Sequence, residues 1–509
     1  MSFRVYPVVA TEPFCEDYSV KVNGQAVALH SARVSAVPFN RRWPGHQRPM
    51  EQSEAVQFLL MAADQPLEFE ITPCRPFDVR QLKIRPRSLG IVPEVVGGKI
   101  RFTLPRPAYF TVEPFGRNRA LHLFVDDLEG PLVDGGREDV IYFGPGEHDV
   151  GFIELRSGQT LFLDEGAVVY ACVRAKDADD IRIVGRGILD NSRNRERILF
   201  AADSTDAEMA VNNTVREHTV QLEYCNRVVI DGITVRDSLV YIIRPIGCRG
   251  LSIRNVKIIG CWRYNSDGID MHNCVDVHID HCFIRTFDDS ICIKGFDCFY
   301  EGDVEQAVRK AMYRGGKSYD VFRNVLVENC VIWNDWGKCL EIGAETRAEE
   351  ISDIWFRNCD LIHLTGPALD CMNVDYADVH DVTFSDIRIE ADDGLPKPII
   401  QRSDSEVYPD EPPAYVPYTV SMSVEFHREY SAGGTRRGKN RNVTFRHIDW
   451  YGESSPGARF GGFDEAHRTE NVRICGLYWN GSPVLRLEGD RWQVREFADC
   501  VLQAEDGAE

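Results

Sequence analysis

A short strand-like segment recurs along most of the chain, and no other feature limits the fold so strongly. Val228–Val235, Leu251–Ile258, Val277–Ile284, Val325–Ile332, Ile354–Leu361, Val382–Ile389 and Val443–Trp450 share one pattern of apolar residues around a short polar step. Their third residues are 230, 253, 279, 327, 356, 384 and 445, spaced by 23, 26, 29 and 28 residues, with gaps of 48 and 61 that read as double steps. Repeats of this length, built from short strands with almost no helical periodicity, imply a right-handed parallel β-helix. A leucine-rich repeat is the nearest alternative, but its Leu/Asn signature is missing. Cys282, Cys330 and Cys359 share one repeat position and are expected to form an inward ladder.

Residues 1–135 follow another rule. Ser19–Val22, Leu67–Ile71, Arg101–Leu104, Ala108–Val112 and Ala120–Val125 alternate apolar and polar residues between Pro, Gly and Asn turns, which predicts an antiparallel β-sandwich. The fold class is therefore all-β, with a sandwich domain at 1–135 and a β-helix domain at 136–509 joined near Asp126–Pro131. Two stretches break the repeat, Phe296–Asp320 and the proline-rich Ala391–Asn440. Long insertions in a regular coil tend to be functional loops, and both are expected to wall a groove. The tail from about 483 is expected to cap the coil or fray.

The formal charge of −21 and an isoelectric point near 5.1 argue against nucleic acid and anionic membrane surfaces as partners. No run is long and apolar enough to span a bilayer. The first ten residues lead at once into Thr11-Glu12-Pro13, unlike a signal peptide. A cytoplasmic location is the expectation, or a secreted one if a leader was removed. The sixteen cysteines lack paired Cys-x-x-Cys spacing, so buried free thiols are expected rather than a metal site. No motif implies a cofactor, and oligomeric state is not legible.

Chemistry concentrates in Asn265-Ser266-Asp267-Gly268-Ile269-Asp270-Met271-His272 and in Thr286-Phe287-Asp288-Asp289-Ser290-Ile291-Cys292-Ile293-Lys294. Each places carboxylates just before an alternating apolar run, a turn leading into a strand. Asp267 and Asp289 differ by 22 residues, as do Ile269 and Ile291, so a coil of that length stacks one on the other. Like-charge repulsion in such a patch raises at least one carboxyl pKa, which keeps an acid and a base distinct. A solvated Asp-rich turn or a calcium turn fits the local residues equally. Carrying the register along the helix, with Ile291 to Leu340 counted as two turns, gives two columns: Tyr241, Asp267, Asp289 and Lys338, and beside them Arg244, Asp270, Cys292, Glu341 and Asp370. Alternation also points His272 and Lys294 outward. With Asn265, these non-catalytic residues (Tyr241, Arg244, Asp270, His272, Lys294, Lys338, Glu341, Asp370) are the expected sugar-binding set, and calcium on the acidic ladder stays open.

Asn265–Asp270 resembles the Asn-Thr-Asp-Gly-x-Asp motif of the polygalacturonase-like glycoside hydrolases of family 28, and Asp288-Asp289 resembles their Asp-Asp pair. Ser238–Pro245 is similar to their Asn-Ser-Pro-x-Trp-x-x-x-Pro coil, and Gly337–Gly343 to their Gly-His-Gly-x-Ser-x-Gly coil, with Lys338 in place of the histidine. Their Arg-Ile-Lys motif, which binds galacturonate, is missing. A sandwich ahead of a three-aspartate β-helix also resembles the dextranase and isopullulanase family (family 49). The resemblance implies an inverting glycosidase acting on an α-linked pectic or neutral polysaccharide or its oligosaccharides. Asp288 would be the general acid, with Asp267 and Asp289 holding and deprotonating the attacking water. A polysaccharide lyase or fructan transferase, and a non-catalytic carbohydrate-binding β-helix, are the alternatives on the same scaffold.

Overall fold

The computed structural model describes residues 3–11, 14–37, 40–42, 52–131, 133–197, 218–263, 265–296, 312–401, 413–427, 430–431 and 436–503. From Val140 to Gln503 thirty described strands join one continuous sheet that coils on itself, each pairing in parallel with its counterpart one coil away except Ser482–Pro483, which pairs antiparallel with Thr469–Trp479. This is a parallel β-helix with three faces. The third residues of the repeat lie opposite one another without a break, Ile230, Ile253, Ile279, Val327, Phe356, Phe384 and Phe445.

The fifth residue explains why so varied a sequence keeps one path. Gly232, Asn255, His281, Asn329, Asn358, Asp386 and His447 all have positive φ, from 49° to 83°. Gly, Asn, Asp and His tolerate this left-handed geometry best, and one such residue turns the first face sharply into the second. The sixth residue then drops into the core: Ile233, Val256, Cys282, Cys330, Cys359, Ile387 and Ile448 are all buried. The cysteine ladder is thus interior and its thiols are free. Phe356, Phe384 and Phe445 stack at 4.7 and 5.0 Å between centroids. Outside, Asn358 donates to Asn329 at 2.6 Å and Asn329 to Asp280 at 2.7 Å.

The direct pairings correct the reading of the long gaps. Ile279 pairs with Val327 and Ile291 with Leu340, so the gap of 48 residues is one coil carrying an insertion rather than two coils. The gap of 61 is likewise one coil, since Phe384 pairs with Phe445. A spacing argument cannot separate these cases, because an inserted loop and an extra turn lengthen the chain alike. The tail does not fray at 483: Trp492–Val494 and Ala498–Gln503 build a further coil. Of the two insertions, 297–311, 402–412, 428–429 and 432–435 lie outside the described residues. The rest includes the hairpin of Tyr313–Arg314 with Lys317–Ser318, and Ile399–Gln401 pairing with Asn40–Arg42.

The N-terminal residues form two sheets around a shared apolar core that includes Val20, Leu59, Phe69, Ile71, Phe102 and Phe110. Within these two sheets every pairing is antiparallel except that of Ser53–Ala63 with Leu121–Asp127. The outer surface of that second sheet is apolar too. Tyr6, Phe58 and Phe124 pack on Phe283, Trp333 and Ile362 of the second face of the helix. The third face carries the aspartates. None of the described helices is long and apolar enough to cross a membrane.

Candidate active site

Three successive strands of the third face, Ile269–His272, Ile291–Lys294 and Leu340–Ala344, each begin just after a polar turn. In-register pairing sets Asp270 against Cys292, Cys292 against Glu341 and Glu341 against Asp370. The turns are bonded as well: Gly268 N–H donates to the Asp289 carbonyl at 2.8 Å, and Ser290 N–H to the Lys338 carbonyl at 2.9 Å. Neighbouring strands lie about 4.8 Å apart, so Asp267, Asp289 and Lys338 stand one above another. Both expected columns form, and because Leu340 follows Ile291 by one coil, Lys338 packs directly on Asp289.

The Asp288-Asp289 turn is held from below. The Asp288 carbonyl accepts Thr286 Oγ1 at 2.6 Å and Asn334 Nδ2 at 2.8 Å. The same amide reaches Ser290 Oγ and the Lys338 carbonyl, both at 3.2 Å. Asp289 Oδ1 accepts the Lys338 N–H at 3.0 Å. Gly337 makes this approach possible: a Cβ there would lie 2.3 Å from Asp289 Oδ1 and 2.5 Å from its backbone N.

Lys294 is the electrostatic centre. Its Nζ lies 2.9 Å from Asp270 Oδ2, 3.5 Å from Glu345 Oε2, 3.6 Å from Asp267 Oδ2 and 4.0 Å from Asp289 Oδ2. Burial opposes its charge, and Asp270 and Glu345 outweigh burial, so it stays an ammonium. Lys338 pairs with Glu341; burial opposes its charge too, and Asp289, Glu341 and Asp370 hold it protonated. The carboxyls then separate. Burial pushes Asp267 well above the carboxylate range, and Asp270 and Asp288 push it further. For Asp289 burial pushes up, but Lys338 and Lys294 prevail and hold it below that range. Burial raises Asp270, Glu341 and Asp370.

The remaining expected residues fall in two groups. Asp270, His272 and Glu341 are buried beneath the groove floor. His272 Nδ1 faces the Gly295 carbonyl at 2.9 Å, and burial, then Arg244 and Lys294, push its pKa down to about 3, so the ring is neutral. Tyr241, Arg244, Asn265 and Lys338 are half-buried at the rim. Arg244 lies 5.4 Å over the Tyr241 ring, with Nη1 3.0 Å from His218 Nε2.

Five residues escaped the sequence reading. Glu345 continues the outward alternation of Glu341 and was findable on that basis. Ser421 and Arg459 extend the Asp370 column, with Arg459 Nε donating to Ser421 Oγ at 2.9 Å. Asn334 ends the strand Val331–Asn334 and His218 lies just before the strand Val220–Glu223, and no spacing rule reaches them. As for metal, Asp289, Cys292 and Glu341 bring ligand atoms within 4.8 Å of one another. A thiol is a poor calcium ligand, and Lys338 and Lys294 already lie against these carboxylates.

The family described as Glycosyl hydrolases family 28 matches residues 157–406. A probable polygalacturonase of Vitis vinifera is 24% identical over 198 residues, covering 34% of this chain and 40% of that protein, so the chain spans less than half of the relative's length. Dex49A from Penicillium minioluteum has a similar structure, with TM-score 0.55, 12% identity and 95% of each chain covered. A hyperthermoactive exopolygalacturonase from Thermotoga maritima gives TM-score 0.48 and 18% identity over 72% of this chain and 83% of that one. At such identity the Dex49A likeness concerns the fold, sandwich and helix together. The coils holding Asp267, Asp288, Asp289, Lys338 and Asp370 all lie within the stretch that carries the pattern of glycosyl hydrolases family 28.

Proposed function

We propose that this chain is an inverting glycoside hydrolase cleaving α-linked glycosidic bonds of a polysaccharide or its oligosaccharides. The observation that carries this is the convergence of Asp267 and Asp289 from adjacent coils on one buried ammonium, with their proton affinities pushed apart and Asp288 next to Asp289 in the same turn. Asp288, next to Asp289 in the turn, donates a proton to the leaving oxygen. Asp289, held ionised by two lysines, deprotonates the attacking water, and Asp267 holds that water from the next coil. Inversion places a water between acid and base, at a carboxyl separation of about 6.5–9.5 Å. Pure glycan binding needs no such divided set of carboxyls.

Both lysines of the floor are engaged by carboxylates, which favours a neutral α-linked glycan whose hydroxyls meet Lys338, Asp370 and the rim. A pectic substrate is the second reading, favoured by the family 28 match and by the relative named a polygalacturonase; Arg244 and Arg459 would then take the uronate carboxylates. The test is reducing-end release, with product anomer and length, on polygalacturonate, rhamnogalacturonan, dextran, pullulan and their oligomers. Inverted product is expected, and Asp288→Asn lowers turnover by about 10²- to 10⁴-fold with the fold intact. Wild-type-like turnover in that variant would remove Asp288 from the acid role. Products absorbing in the ultraviolet as unsaturated sugars would mean a lyase.

A further inference from the structure

The match to family 28 begins at residue 157, after the sandwich has ended, yet a sandwich residue reaches Asn334, the residue that holds the Asp288-Asp289 turn. Arg117 closes the sandwich strand Ala108–Arg117, and its side chain is 7% exposed. Its Nη2 donates to the Asn334 carbonyl at 2.6 Å and to Asp335 Oδ1 at 2.8 Å, while Nη1 donates to Asp392 Oδ2 at 3.0 Å. Asp335 is fully buried and also accepts Trp333 Nε1 at 2.7 Å. Asn334 is gripped at both ends. Its carbonyl faces the sandwich, its side-chain amide donates to the Asp288 carbonyl at 2.8 Å and reaches the Lys338 carbonyl at 3.2 Å, and its Oδ1 accepts the Trp336 N–H at 3.1 Å.

We propose that Arg117 is a positioning residue. Through Asn334 it fixes the backbone of Asp288 and of Lys338, so the N-terminal sandwich is a working part of the active site rather than an appended module. The inference rests on the role given to Asp288 above. The geometry is suited to the task. A guanidinium fork holds three acceptors in one plane, which an ammonium cannot do, and Asn334 then carries that constraint one residue further, onto the carbonyl of the acid. Displacing a catalytic group by about 1 Å is enough to lose about 10²-fold in rate.

The experiment compares Arg117→Lys, Asn334→Ala and the double variant with Asp126→Asn, using kcat and KM on the glycan the wild type hydrolyses and thermal unfolding in parallel. Asp126 pairs with Lys257 of the helix at 3.1 Å across the same interface, so its variant reports interface weakening alone. Arg117→Lys keeps the charge facing Asp335 and Asp392 and is expected to fold, with kcat down about 10- to 100-fold and KM nearly unchanged. The double variant should be no slower than Asn334→Ala, because both substitutions break one link. Asp126→Asn should lose stability and keep kcat. A wild-type kcat in Arg117→Lys, or multiplicative losses in the double variant, overturns the inference. Asp335→Asn provides a second approach if Arg117→Lys is too unstable to assay; it is expected to lower kcat, and unchanged kcat again overturns it. An Asp288→Asn variant run alongside separates the two claims: if that variant retains activity, the active-site reading fails; if it is inactive while Arg117→Lys is fully active, only the role of Arg117 fails.

Discussion

Replacing Lys294 with Met removes the charge on which four carboxylates depend while nearly keeping the side-chain volume. The ammonium lies 2.9, 3.5, 3.6 and 4.0 Å from oxygens of Asp270, Glu345, Asp267 and Asp289. At an effective dielectric constant near 20, a contact with an ionised carboxylate at these distances is worth about 4 to 6 kcal/mol before desolvation is subtracted, and the contact with Asp267, whose pKa is pushed up, is worth less. The lysine's own desolvation cancels much of this, and breaking a buried pair by removing one partner destabilises by about 3–5 kcal/mol. The variant should lose that amount at neutral pH. The loss should also depend on pH. Without the ammonium the folded carboxyls hold their protons above the unfolded pKa range, so stability present at low pH is lost as pH rises through their folded values. The gap to wild type is therefore smallest near pH 4 and widest above pH 7. Denaturant unfolding at several pH values measures it, with m-values as a check. The activity profile should shift in the same sense, its acidic limb moving to higher pH as Asp289 loses a cation that keeps it ionised. A stability difference that does not change with pH, or a variant as stable as wild type, would refute Lys294 as the centre of the cluster.

Two other perturbations test neighbouring parts of the site. Gly337→Ala places a Cβ where Asp289 Oδ1 lies 2.3 Å away; the carboxylate must shift by about 1 Å, so kcat should fall about 10²-fold and stability by about 1–3 kcal/mol, and unchanged kinetics would show that Asp289 is not held by this approach. His272 is neutral in the fold, with its pKa lowered to about 3, so the unfolded chain binds the extra proton between about pH 6.5 and 3. Its contribution is therefore lost as pH falls through that window, at up to about 1.4 kcal/mol per unit. His272→Gln should flatten the acid side of the stability curve relative to wild type, and identical slopes would contradict a neutral buried ring.

The repeat was legible because a coil imposes the same demands at every turn. Apolar residues at the third and sixth positions and a Gly, Asn, Asp or His at the fifth are local requirements, met again in each coil from Val228 to Trp450. That regularity also carried the site. Once Ile269 was aligned with Ile291, the Asp267–Asp289 contact followed, and so did the column from Asp270 to Asp370. Where an insertion lengthened a coil, counting residues gave two turns for one, since chain length does not say whether extra residues loop out or go round again. The alternation placed Lys294 outward but not at the centre of four carboxyls, because its two nearest partners, Asp270 and Glu345, are set by side-chain conformers in the buried interior.

The sequence by itself therefore determined the β-helix and the stacking of Asp267 on Asp289, both of which follow from periodicity along one chain. Only the tertiary structure decided which carboxyl is pushed up and which is held down, and what holds the Asp288-Asp289 turn. The first depends on burial and on distances of 3 to 4 Å between residues of different coils. The second depends on Arg117 and Asn334, 217 residues apart, brought together because the apolar outer surface of the sandwich and the second face of the helix bury each other.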